Sequence, residues 1–315
     1  MTLGSADRLT HAVLGEISRA QDERTRELLM AMTRHMHEFV KEVSLTELEF
    51  QRVIKLIASL GQNTSASHNE VALAAGSLGV SALVCLLNNG DGGRLPTTAN
   101  LMGPFWRKDA PFTEQGGSIV RGPTRGIPIC VQLQVCDQID APIAGAEVEI
   151  WHCSSEGFYE NQDPEQADMN LRGTFRSDQQ GIVRFWSIKP SGYPIPVDGP
   201  VGDLIRALGR HNMRPAHIHA LVNKSGYKTQ FSQIYSADDP NVDSDVQFGV
   251  TERLKADYVL HQGASDKEDL PPNPWYSVEF KLVLEPGEKR LAPPPITGKA
   301  VGPKPRLVKL VRRSG

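Results

Sequence analysis

Cysteine is scarce in this chain of 315 residues. Its four thiols, Cys85, Cys130, Cys136 and Cys153, show no Cys-x-x-Cys pair and no dense spacing. That excludes a disulfide-stapled fold and a thiolate-rich metal site, and reads as reduced thiols in the cytoplasm. A surplus of either charge is also missing. Lys plus Arg number 34 against 37 Asp plus Glu, a net charge of −3, so nothing global favours nucleic acid or an anionic membrane. The first residues, M-T-L-G-S-A-D-R-L-T-H, lack a basic segment followed by an apolar run, so no secretory leader is expected. There is no internal repeat. The longest uncharged stretch, residues 71–90, approaches the roughly 17–25 residues of a membrane helix. However, Gly76, Ser77, Gly79 and Ser81 interrupt it, and a buried helix near a subunit interface is the expectation. The partners left are small molecules and copies of the chain itself.

What is present divides into three parts: a helical region over 1–95, a β-sandwich over 96–288, and a basic, proline-rich tail over 289–315. Leu29, Met32, Met36, Phe39 and Val40 follow the three-and-four spacing of an amphipathic helix over about 23–42. A second helix is signalled by Thr46 and Glu49, a capping box, with Leu45 and Phe50 as a hydrophobic staple. Gly61 is its expected C′ residue. A third is expected from Ser67-x-x-Glu70 to Asn88-Asn89-Gly90. Beyond the loop N-N-G-D-G-G-R-L-P the period changes to two. C-V-Q-L-Q-V-C, A-E-V-E-I-W-H-C, I-V-R-F-W-S-I and S-V-E-F-K-L-V-L alternate between turn signals, as the strands of a sandwich or barrel do. G-P-V-G-D-L-I-R-A-L-G-R-H reads as a short helix or turn among them. From Lys289 onward there are eight basic residues, five prolines and no acid, the composition of an extended arm.

Two His-x-His pairs are present, and the backbone period separates them. On a helix, residues two apart point to nearly opposite sides, whereas strand side chains repeat every second residue. His35 and His37 lie on the helix-period segment and cannot share an ion. His217 and His219, in A-H-I-H-A-L-V, alternate on a strand and face one way. Two turn-rich stretches, W-H-C-S-S-E-G-F-Y (151–159) and K-P-S-G-Y-P-I-P (189–196), each present a tyrosine. Two phenolates with two imidazoles suit a hard, highly charged ion such as iron(III). Two other readings stay open: a hydrolytic zinc site from His152, Cys153, His217 and His219, and a binding or carrier sandwich without catalysis. His152 and Cys153 fall on opposite faces of a strand, which counts against the zinc set.

The stretches L-M-G-P-F-W (101–106), P-I-A-G-A-E-V-E-I-W-H (142–152), E-G-F-Y (156–159), L-R-G-T-F (171–175), K-P-S-G-Y-P-I-P-V-D-G-P-V-G-D-L (189–204), G-R-H-N-M-R-P-A-H-I-H (209–219) and S-Q-I-Y (232–235) together resemble the intradiol ring-cleavage dioxygenases, those acting on catechol and hydroxyquinol. The resemblance runs from the helical segment to about Pro286. It implies a mainly antiparallel β-sandwich catalytic core with an α-helical dimerisation region. It implies non-haem Fe(III) held by Tyr159, Tyr193, His217 and His219, with Tyr193 the ligand that leaves when the diol chelates. Arg214 is implied to stabilise charge developing on the ring, and Gln233 to lie beside the site. Leu83, Cys85, Met102, Gly103, Pro104, Phe105 and Phe248 are the implied walls of the substrate pocket. The implied partners are an aromatic diol, O2, a second copy of the chain, and a phospholipid near Val71–Leu87. D-G-P-V-G-D-L-I-R-A-L-G-R-H and D-S-D-V-Q-F-G-V look most similar to the hydroxyquinol enzymes. Cys85 departs from that pattern, standing where an acid is expected.

Overall fold

The computed structural model describes residues 5–262 and 274–312. By packing, the chain divides at Ala58/Ser59 into two compact units, not near residue 95. In the first unit α1 (Ala6–Ile17), which the periodicity did not signal, is capped by Ser5, whose Oγ accepts from Arg8 N. It lies beside α2 (Glu23–Glu42), capped by Asp22. His37 on α2 is spent here: its Nδ1 is 2.9 Å from Thr10 Oγ1, and Lys41 pairs with Asp7 at 2.8 Å. The capping box at the start of α3 (Glu47–Gln62) forms as its spacing requires. Thr46 N donates to Glu49 Oε2 at 3.0 Å, and Glu49 N to Thr46 Oγ1 at 3.3 Å. Gly61 remains inside the helix, which runs on to Gln62.

In the second unit the third expected helix is not continuous. It is two helices, α4 (Glu70–Ser77) and α5 (Val80–Asn88), bent by 75°. The break sits at Gly79, whose φ of +74° only glycine adopts without strain. Asn69, not Ser67, caps α4, its Oδ1 accepting from Ala72 N at 2.8 Å. Glu70 is therefore free to serve a distant element: Oε1 accepts from Val201 N at 2.8 Å while Oε2 meets His68 Nε2 at 2.5 Å. A single turn, α6 (Gly90–Gly93), follows. No single described helix is long and apolar enough to cross a membrane. Space is available beside Gly79, where an added Cβ would sit 3.5 Å from the Phe248 ring. Gly79→Ala is thus expected to cost only the left-handed backbone penalty, about 1–2 kcal/mol, read as a lower denaturation midpoint with an unchanged m-value.

The strands are β1 (Pro128–Cys136), β2 (Glu147–Trp151), β3 (Arg172–Arg176), β4 (Ile182–Ile188), β5 (Tyr193–Pro194), β6 (Met213–Arg214), β7 (His217–Asn223), β8 (Gln230–Ser236), β9 (Lys255–Ala256), β10 (Val259–His261) and β11 (Trp275–Val283). A short helix, α7 (Pro200–Ala207), lies between β5 and β6. One sheet has the order β10-β11-β1-β4 and the other β3-β2-β7-β8-β9, with β5 and β6 a separate pair. Most pairs are antiparallel, but β1 with β11 and β8 with β9 run parallel. The two sheets face each other across a core that includes Val131, Leu133, Val183 and Phe185 from one and Val148, Ile150, Ile218, Ala220, Val222 and Ile234 from the other.

β7 positions the site. Its even-numbered residues, Ile218, Ala220 and Val222, fill that sandwich core, so the odd-numbered His217, His219 and Leu221 face the opposite way. That outer face is not left to solvent, and every residue of β7 is buried. A second apolar cluster covers it, drawn from Leu73 on α4, Val201 and Ile205 on α7, Phe105, Trp106, Trp151, Tyr159, Tyr193 and Ile296. The imidazoles are thereby held dry between a sheet and a lid of aromatic loops.

Candidate metal centre

Strand register brings the first half of the centre together. Trp151 on β2, His219 on β7 and Gln233 on β8 form one cross-strand row, and His217 faces Tyr235 in a neighbouring row. Residues directly opposite in antiparallel strands share a face. Trp151 stacks on His219 with centroids 4.7 Å apart and planes 10° from parallel. Gly103 closes on the same ring. Its φ is +73°, and a Cβ there would lie 3.1 Å from His219 Cε1.

The two tyrosines come from outside the two large sheets. Tyr159 follows β2, and Tyr193 on β5 pairs with Arg214 on β6. Their hydroxyls are 3.3 Å apart, and Tyr159 Oη is 3.3 Å from His217 Nε2 and 3.0 Å from His219 Nε2. The two Nε2 atoms are themselves 3.1 Å apart. All four side chains are within 2% of full burial.

Such a knot satisfies itself poorly by hydrogen bonding. His217 Nδ1 donates to the Pro215 carbonyl at 2.7 Å, so its Nε2 carries a lone pair toward its neighbours. His219 Nδ1 is buried with no partner. Burial, aided by the Arg214 charge, drives the His217 pKa down to about 3, and His219 also lies well below the ordinary value. Both rings are neutral, the state in which imidazole binds metal. Burial pushes Tyr193 up to about 12 and Tyr159 well above the usual phenol range. The phenols therefore keep their protons unless a cation displaces them. Neutral donors gathered this closely, with one ring nitrogen left unpartnered, are the arrangement a bound cation would satisfy. Two hard oxygens and two imidazoles thus fit a ferric ion.

Arg214 is pinned at the edge of this set. Nε and Nη2 each reach Asp245 at 3.0 Å, and Nη2 also donates to Gln233 Oε1 and Tyr235 Oη, both at 2.8 Å. Nη1 is left pointing at His217 Nε2, 3.3 Å away. Gln233 is fixed in turn by donating to the Leu101 carbonyl at 2.8 Å. Asp245 feels opposing influences. Burial raises its pKa, but the guanidinium and the hydrogen bonds outweigh it and hold the carboxyl below its usual value. Trp151, Tyr235 and Asp245 were not anticipated as site residues. Tyr235 carried a signal, standing two residues from Gln233 on a strand; Asp245 carried none.

The zinc set does not assemble. His152 directs Nε2 to Ser187 Oγ and Nδ1 to the Cys153 carbonyl, both at 2.7 Å, and the Cys153 thiol is turned to the Ser191 carbonyl. Among the described residues, no three His, Cys, Asp or Glu side chains gather as a metal site.

A cleft of about 1420 Å³ runs past Cys85, Met102, Gly103, Pro104, Phe231 and Gln247. Of the other expected walls, Phe105 does not line the cleft but is buried against the Tyr159 ring, centroids 4.7 Å apart. Leu83 and Phe248 face away, both more than half exposed. Phe248 lies under the Arg210 guanidinium beside a separate depression. Other residues of α5, among them Ser81, Val84, Cys85 and Asn88, line the cleft, and Leu83 falls on another side of the same helix.

This sandwich, with a helical segment before it and an enclosed site on one sheet's outer face, is the architecture of ring-cleaving dioxygenases. The hydroxyquinol 1,2-dioxygenase of Pseudomonas putida DLL-E4 superposes with a TM-score of 0.77 at 32% identity, covering 90% of this chain and 99% of that one. Residues 101–286 match the family described as "Dioxygenase", and residues 22–92 that described as "Catechol dioxygenase N terminus". The chain belongs to the intradiol ring-cleavage dioxygenases, a family that implies non-haem iron. Among curated relatives, the hydroxyquinol 1,2-dioxygenase of Rhizobium sp. (strain MTP-10005) is 37% identical over 88% of this chain and 95% of its own length. The catechol 1,2-dioxygenase of Candida albicans is 36% identical over 78% of this chain and 80% of its own.

Proposed function

We propose that this dioxygenase cleaves hydroxyquinol, benzene-1,2,4-triol, between the adjacent hydroxyl-bearing carbons to give maleylacetate, using iron(III) held by Tyr159, Tyr193, His217 and His219. The observation that carries the metal assignment is the approach of Tyr159 Oη to Tyr193 Oη, His217 Nε2 and His219 Nε2 at 3.0–3.3 Å, with the two Nε2 atoms 3.1 Å apart. Bound there, iron(III) withdraws electron density from a chelated diol and opens the ring to O2. Both oxygen atoms end in the product, so the reaction needs no external reductant. The protein supplies the rest. Neutral imidazoles leave the positive charge on the ion undiminished, and the phenols surrender their protons on binding. A guanidinium locked by Asp245, Gln233 and Tyr235 presents Nη1 toward the centre, where developing negative charge is stabilised without reorganisation. Burial of the whole set excludes water.

The choice of triol rests on the hydroxyquinol relatives; catechol and substituted catechols are the alternative. Cys85 tempers the preference. Burial pushes its thiol up to about 11, and Asn89 Nδ2 stands 3.7 Å from its sulfur. A neutral thiol is a weak acceptor for a third hydroxyl, and a buried hydroxyl without a partner costs on the order of 1–3 kcal/mol. Appreciable catechol turnover is therefore expected, and Cys85→Asp should raise the hydroxyquinol-to-catechol ratio of kcat/KM. Oxygen uptake by iron-loaded protein with hydroxyquinol, catechol and chlorinated catechols tests the assignment. Catechol far ahead of the triol in the wild type would reassign the substrate.

The chain is also proposed to dimerise through its amino-terminal helices, with a phospholipid held near Val71–Leu87. Supporting this, α2 exposes Leu28, Met32, Met36, Phe39 and Val40, and α5 exposes Val80, Leu83, Val84 and Leu87. Exposed apolar residues in such number on one helix mark interaction sites. Light scattering at micromolar concentration should give twice the monomer mass, and phospholipid should appear in an organic extract of the purified protein. A monomer contradicts the dimer.

A further inference from the structure

The basic, proline-rich arm lies outside the segment matched to the dioxygenase family, which ends at residue 286, and the chemistry above gives it no task. It contains no described helix or strand after β11, yet it is not loose on the surface. Ile296 is buried within the same apolar cluster as Tyr159 and Tyr193, and Leu310 packs against that cluster.

Its contacts fall on the two segments that carry the tyrosines. On the Tyr159 side, Ala300 N donates to the Asn161 carbonyl at 2.7 Å. Lys304 reaches Glu156 at 2.7 Å and the buried Asp163 at 2.9 Å, with its ammonium 5.0 Å from the centre of the Phe158 ring. Lys299 is bound by the Gln166 carbonyl. Residues on both sides of Tyr159 are thus tied to one strand of chain. On the Tyr193 side the link is Asn212, fully buried. Its Nδ2 donates to the Ile195 carbonyl at 2.8 Å and to the Val308 carbonyl at 2.9 Å, while its Oδ1 accepts from Leu310 N at 2.8 Å. Between the two sides stands Gly157, with φ +87°. A Cβ there would lie 3.0 Å from Tyr193 Cβ and 3.1 Å from Leu307 Cδ1. Leu307, the Gly157 backbone and Tyr193 form one stack with no slack.

We propose that residues 295–312 are a strap that holds the Tyr159 loop and the Tyr193 hairpin at the spacing the metal centre requires, with Lys304, Leu307 and Asn212 as positioning residues. This rests on the reading of Tyr159 and Tyr193 as iron ligands. Loops are ordinarily the most mobile parts of a fold; Tyr159 sits on one, and Tyr193 on a strand of only two residues. Prolines 293–295, 303 and 305 limit the conformations the arm loses on docking. Metal affinity falls when the groups that orient ligands are lost, typically 10–100-fold.

The test compares wild type, a variant ending at Leu291, and the point variants Lys304→Ala, Lys304→Arg and Leu307→Ala. The readouts are the visible tyrosinate-to-iron(III) absorption and the rate of iron release to excess chelator. The shortened enzyme should release iron at least tenfold faster with a shifted or broadened band, and a synthetic peptide of residues 292–312 should restore both. Lys304→Ala and Leu307→Ala should show the same changes in smaller measure, and Lys304→Arg should resemble wild type. If the shortened protein fails to fold, the two alanine variants decide the matter. Wild-type release rates and band positions in the folded variants overturn the strap while leaving the ligand assignment standing. A wild type that binds iron without any tyrosinate band overturns the assignment, and the strap with it.

Discussion

Tyr159→Phe is expected to bleach the iron-loaded protein and to lower kcat by at least about 10²-fold. The substitution removes one oxygen from a fully buried ring that already packs against Phe105 and Tyr193, so the fold should tolerate it. What it removes is the donor nearest the others: Tyr159 Oη is within 3.0–3.3 Å of His219, His217 and Tyr193, a central place in the set. Loss of a single group that merely orients a ligand costs 10–100-fold in affinity or activity, and loss of the ligand itself should cost no less. The colour follows from the same atom, because phenolate-to-iron(III) charge transfer needs a phenolate. Tyr193→Phe should keep part of the absorption, since Tyr159 remains. A Tyr159→Phe protein that stays coloured and works within tenfold of wild type would remove Tyr159 from the proposed set.

How far the sequence disclosed this centre depends on whether each part was encoded locally. His217 and His219 were readable because a strand has period two and A-H-I-H-A-L-V alternates; the structure brings both to one face. The capping box at Thr46 and Glu49 was readable because both partners lie within four residues. The bend at Gly79 was only half readable: Gly76, Ser77, Gly79 and Ser81 interrupt the apolar run, but glycine and serine are also tolerated inside a helix, and which of them carries a positive φ is not stated by the run itself. Distant packing also bears on this segment: Gln247 fills the space beside Gly76, so that a Cβ there would meet its side-chain oxygen at 1.7 Å. The resemblance places Leu83 on the pocket wall with Cys85, but residues two apart on a helix point to nearly opposite sides, and of the two only Cys85 lines the cleft. The parallel pairing of β1 with β11 joins segments nearly 150 residues apart, and alternation alone does not give its direction. Asp245 is the clearest omission. It lies in a loop without regular structure, and its importance exists only through a guanidinium 31 residues earlier in the chain.

That carboxylate carries the other large effect. Asp245→Ala should lower stability by about 3–5 kcal/mol, the usual consequence of stranding one member of a buried ion pair. Both partners here are 2% exposed. At the roughly 2–4 °C per kcal/mol of a domain this size, the midpoint of thermal unfolding should fall by about 10 °C. Asp245 also accepts from the backbone N–H groups of Gln247 at 3.2 Å and Gly249 at 3.0 Å, so its loss frees the loop as well as the charge. Asp245→Asn separates the two consequences. It keeps the shape and one acceptor but surrenders the charge, and should recover part of the stability while kcat stays depressed, because Arg214 no longer has a fixed direction. The pH dependence has a definite sign. A carboxyl whose folded pKa lies below its unfolded value contributes stability above the unfolded pKa, and loses it as pH falls through the folded one. Wild type and Asp245→Asn should therefore differ most at neutral pH and converge in strong acid. A stability gap that widened on acidification would show that the Arg214–Asp245 pair is not what holds this edge of the site.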